Sequence, residues 1–152
     1  MDVSRVSRNE WLAMLGGLLL AIGIFLPWYG TDAGNPNASI DGATGTVSCW
    51  DAHPILRWLL LAAAAAPFIL TWIIVRGHKL SWPRGEMTAV VAIAAGGLIF
   101  YNGIIDKPGE PSSAISLKYG WIVALLGAAV MFFGSAIRAS DVERARKPPG
   151  TI

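Results

Sequence analysis

Four long apolar runs, separated by short segments that hold nearly every charge, organise this chain. The clearest is RWLLLAAAAAPFILTWIIV, residues 57–75, where beyond Arg57 no side chain ionises and only Pro67 and Thr71 interrupt the pattern. A helix needs about 20 such residues, at about 1.5 Å rise each, to cross the hydrocarbon of a bilayer. Runs of this kind at about 11–28, 55–75, 86–105 and 120–137 predict an all-α, four-helix transmembrane bundle, a tetraspan. Residues 1–137 form one membrane domain on this pattern, and 138–152 a charged tail.

Small residues recur at helical spacing inside the runs: Ala13, Gly17 and Ala21; Thr88, Ala92 and Gly96; Gly120, Ala124 and Ala128. Residues four apart share a helix face, and small ones let two backbones approach closely in lipid. Pro67 removes a backbone donor mid-span and predicts a kink. With the smooth surface of Ala62 to Ala66 beside it, this places the second span centrally. Gly16-Gly17-Leu18 and Gly23-Ile24 echo Gly96-Gly97-Leu98 and Gly103-Ile104, a faint sign of two parallel hairpins.

Residues 30–53 are rich in Gly, Asn, Asp, Ser and Thr, the turn formers. Asp41-Gly42 predicts a tight turn joining Ser39-Ile40 to Thr46-Val47-Ser48 in a short β-hairpin. Asp51 is the expected N-cap of the second span, with Pro54 in its first turn. Trp28, Tyr29, Trp50, Trp58, Tyr101, Tyr119 and Trp121 fall near one membrane face and Trp11, Trp72 and Trp82 near the other, as interfacial anchors do.

Composition sharpens the picture. Charged residues make up 14% of the chain, against about 25% in soluble domains. The net charge of +2 gives no support to nucleic-acid binding. Nine basic residues (Arg5, Arg8, Arg76, Lys79, Arg84, Arg138, Arg144, Arg146, Lys147) lie on one side of the expected topology, and three (Arg57, Lys107, Lys118) on the other. The bias of Lys and Arg toward the cytoplasm predicts a multi-pass protein of the plasma (inner) membrane, both termini inside.

A first span ending LPWY is followed by a Gly/Ser-rich loop closing on Cys49-Trp50-Asp51-Ala52 and a Leu/Ala second span. The third span leads into Asp106-x-Pro-Gly, then Tyr119-Gly120-Trp121 and a Leu/Gly-rich fourth span. This order is similar to that of a broad group of small four-span membrane proteins of actinobacteria. The resemblance implies a fold and a bacterial membrane location, and no activity.

Candidate chemistry is sparse. The span interiors hold no Asp, Glu, Lys, Arg or His, which speaks against a proton-coupled transporter or a voltage sensor. Polarity collects at the outer rim, in Trp50, Asp51, His53, Arg57, Asn102 and Asp106. Arg57 is expected to pair with Asp106 or Asp51, as a clamp between loops and helices or as a site for an anionic headgroup or ligand. Cys49 and His53 are too few for a metal site, even with Asp51, and no nucleophile–base pair is in view. The sequence therefore predicts no enzyme, no cofactor and no metal. It points to an accessory or scaffold subunit, in contact with the bilayer and with a membrane partner or a second copy through the small-residue faces. The alternative is a carrier or channel for a lipid or small apolar solute.

Overall fold

In a computed structural model of the chain, described for residues 2–79 and 85–146, four helices are long and apolar enough to cross a membrane. They are α1 (Arg8–Phe25), α3 (Leu56–Val75), α4 (Glu86–Phe100, continued by one turn at Tyr101–Ile105) and α5 (Tyr119–Arg146). A short α2 (Cys49–Ala52) precedes α3. Part of the basic turn expected at 76–84, including Trp82 and Arg84, lies outside the described residues, as does the tail from Lys147.

The start of α1 follows from its sequence. Ser7 Oγ accepts from the Glu10 amide, and Glu10 Oε2 accepts from the Ser7 amide at 2.7 Å, a reciprocal capping box. Its end is set by Pro27, which biases the preceding residue toward extended backbone; Leu26 has ψ 157°.

The helices form a ring in which α1 lies between α3 and α5, and α4 packs on α5. Along α5, Gly120, Gly127 and Gly134 are seven residues apart and lie against Leu26, Gly16 and Leu20, and Ala13 of α1. A Cβ on Gly127 would stand 2.8 Å from the Gly16 carbonyl oxygen, so only glycine permits the approach. Leu20, Ile24, Leu60, Ile99 and Met131 are fully buried between the helices. The Pro67 helix is thus not the centre of the bundle. The heptad of glycines brings α1 and α5 closest, and α3 flanks them, its Pro67 ring and Ala64 carbonyl against Gly17.

One end of the bundle carries a three-stranded antiparallel sheet, where a single short hairpin was expected. Its order is β2–β1–β3, with β1 at Pro27–Thr31, β2 at Thr46–Ser48 and β3 at Ile115–Leu117. Tyr29 stands opposite both Val47 and Leu117. The expected turn at Asp41-Gly42 is present, both residues having positive φ (54° and 82°), but it joins only Ile40 to Ala43. Thr46–Ser48 pairs instead with Pro27–Gly30, and Ser39 bridges to Glu110. Central β1 gains two partners this way, whereas the local hairpin would have supplied one.

Candidate functional site

Trp28 and Tyr29 were expected at the lipid–water interface. Both are wholly buried, because β1 turns them inward between the sheet and the helix ends. Trp28 Nε1 donates to the Gly23 carbonyl at 2.7 Å, near the end of α1. The Tyr29 hydroxyl lies 2.6 Å from His53 Nε2 and 3.1 Å from the Asn102 carbonyl oxygen. That carbonyl can only accept. Both contacts are satisfied when Tyr29 donates to it and His53, protonated on Nε2, donates to the Tyr29 oxygen.

The Asn102 carbonyl is available because of a change in helical winding. In regular α-helix it would accept the Asp106 amide, four residues on. Here the Asp106 amide reaches back five residues to the Tyr101 carbonyl, at 2.8 Å, in a single π-helical turn. Trp121 Nε1 donates to the Ile99 carbonyl at 2.8 Å, its ring lying against Gly103.

Burial sets the charge states. It pushes the Tyr29 hydroxyl far above its ordinary range, and the Asp106 carboxylate, like the thiolate that Cys49 would form only at high pH, adds to the shift. It pushes the Cys49 thiol up to about 12. His53 is lowered by burial, against the opposing pull of Asp106. Neutral tyrosine, neutral imidazole and an unionised thiol are thereby favoured together. Such a set locks elements by hydrogen bonds and holds no activated nucleophile. Cys49 is fully buried, so its thiol is shielded from a cross-chain disulfide in the folded protein.

The six residues expected at the rim fall into two groups. His53 and Asn102 meet through Tyr29, and Asp106 is near enough to act on both titrating rings. Arg57 and Trp50 form the second group. Arg57 Nη1 donates to the Trp50 carbonyl at 3.0 Å, and its guanidinium lies 4.7 Å from the Trp50 ring centre and 5.7 Å from that of Trp58. Contrary to expectation, Arg57 makes no ion pair with Asp106 or Asp51 among the described residues. Asp51 does not cap the second span as expected: the N-cap of α3 is Ile55, without a side-chain bond, and Asp51 lies inside the short α2, which Ser48 caps. Ser48 Oγ accepts from the Asp51 amide and donates to its carboxylate. Among the described residues, no cluster of three or more His, Cys, Asp or Glu is placed to hold a metal ion.

Sequence reasoning missed Tyr29 and, at the opposite end, Glu10. Glu10 is 3% exposed and its Oε1 lies 3.3 Å from Arg138 Nε, tying the start of α1 to α5. The Ser7-x-x-Glu10 spacing ahead of an apolar run was the available signal for it. For Tyr29 the signal was weaker, a five-residue Pro-Trp-Tyr-Gly-Thr stretch whose partners are remote in sequence.

No family model matches the chain, and no curated protein or solved structure matches it either.

Proposed function

We propose that this chain is a non-catalytic four-span subunit or scaffold of the plasma membrane, with both termini in the cytoplasm, that docks on a larger membrane complex or on a second copy through α3 and α4. One contrast carries this reading. The glycines of α1 and α5 are spent on internal contacts, whereas a Cβ on Gly96 or Gly97 of α4 would meet nothing within 4 Å. On α3 and another face of α4, Ala62, Ala66, Ala94 and Leu98 line an apolar groove of about 290 Å³ between the two helices. In lipid, such a smooth surface is where another helix packs closely.

The nine-to-three split of basic residues supports the orientation. The filled interior at Leu20, Ile24, Leu60, Ile99 and Met131 speaks against a solute path through a single copy. Cross-linking in native membranes from a cysteine placed at Ala62 or Ala94 tests the reading. A discrete adduct, lost on Gly97→Leu, is the expected result. A clean monomer with no adduct would sink it.

A further inference from the structure

We propose that Arg57 is the phosphate anchor of an anionic phospholipid in the leaflet at the sheet end of the bundle. The inference rests on the chain spanning a bilayer and is independent of whether it docks on a protein partner.

Arg57 is the second residue of α3, so it stands where hydrocarbon gives way to headgroups. Its charge is uncompensated. No carboxylate lies within ion-pairing distance of it among the described residues, and its Nε is buried without an acceptor. The Trp50 carbonyl takes one N–H, and two indole faces supply quadrupole attraction. Neither neutralises the cation, and an unpaired charge beside a low-dielectric slab is costly. An anion at that depth is supplied by the bilayer itself. A planar guanidinium suits a phosphodiester, and with Nε enclosed and Nη1 already on the Trp50 carbonyl, the phosphate would be met from the Nη side.

The surroundings extend the site toward acyl chains. Phe25 stacks on the Trp50 ring at 5.0 Å and is itself 54% exposed; Trp58 is 56% exposed. Below Phe25, Ile22 and Leu18 continue the outward face of α1 at helical spacing, both about half exposed. The cation is thus held rigidly between rings at the top of an apolar strip, with the phosphate above and the chains alongside.

The test uses the full chain in mild detergent, titrated with phosphatidylglycerol, with diacylglycerol of the same chains, and with inorganic phosphate. Phosphatidylglycerol at a hundredfold excess over its dissociation constant is expected to raise the unfolding midpoint by roughly 5 °C. One bound molecule should survive in native mass spectrometry. Diacylglycerol and inorganic phosphate should do neither. Arg57→Gln should weaken phosphatidylglycerol binding at least tenfold. Arg57→Lys, which keeps charge and stem, should fold normally and bind with intermediate affinity. Undiminished binding by Arg57→Gln, equal binding of diacylglycerol, or equal stabilisation by inorganic phosphate would each overturn the assignment. If Arg57→Gln does not fold, Arg57→Lys decides, because binding equal to the native chain's removes the guanidinium from the site.

Discussion

The seam between α1 and α5 and the seam between α3 and α4 are both built from small residues, yet they do opposite things. In the first, Gly16, Gly23, Gly120, Gly127 and Gly134 bring backbone against backbone; a Cβ on Gly23 would stand 2.6 Å from the Ala124 nitrogen. In the second, alanines line a groove, and Gly96 and Gly97 of α4, outside that lining, face open space. Small side chains therefore permit close packing without ensuring it. The heptad of glycines on α5 has a matching set on α1, whereas α3 presents Leu59, Leu60 and alanines that do not interdigitate with α4. The echo between Gly16-Gly17 and Gly96-Gly97 does not extend to their packing.

The largest expected effect breaks the tight seam. Gly127→Leu would drive a side chain into the backbone of Gly16 and Leu20, where neither helix can yield cheaply, and should cost about 3 kcal/mol or more. Loss of a monodisperse peak on detergent size exclusion is the measurement. A normally folded Gly127→Leu would mean that the seam is not close-packed.

Next comes Tyr29→Phe, which cuts the tie from the continuation of α1 to the π-helical turn of α4. It leaves the Asn102 carbonyl and His53 Nε2 without their shared partner, and should cost about 1–3 kcal/mol in thermal or denaturant unfolding. An unchanged midpoint would show that the two helices need no such tie.

A smaller effect concerns pH. Burial lowers the His53 pKa, so the unfolded chain binds the proton more readily than the folded one. The contribution of neutral His53 is complete above the unfolded value of about 6.5 and is lost as pH falls from there toward the lowered folded value. The unfolding midpoint should drop between pH 7.5 and 5.5, with a slope of at most about 1.4 kcal/mol per pH unit from this one group. His53→Gln should flatten the profile; a profile unchanged by that substitution would assign the titration to another group. The smallest effect sharpens the contrast between seams. Gly97→Leu should alter the stability of the isolated chain by no more than about 0.5 kcal/mol, because the new side chain enters open space.

The four long helices were legible because apolar runs of that length hold almost no charge, and α3 and α4 with its continuation lie within a residue of their expected bounds. The end of the first span was not. Trp28 and Tyr29 have the amphipathic chemistry of anchors, and only pairing with Val47 and Leu117, remote along the chain, turns them inward. Arg57 shows the same limit. Opposite charges at similar depth suggested a pair, but the winding of Tyr101–Ile105 carries Asp106 to the Tyr29–His53 side while Trp50 takes the guanidinium. Helical periodicity carries no mark of a π-turn, so the rim was legible in its members and illegible in its partners.

The central position of β1 also sets an order of events during synthesis. β1 leaves the ribosome directly behind the first span, β2 follows before the second, and β3 arrives only between the third and fourth. Until the third long helix has been made, Tyr29 has no Leu117 opposite it and one edge of the strand stays bare. Completion of the sheet therefore waits on the third long helix, and a truncated chain that stops before β3 would leave that edge unpaired.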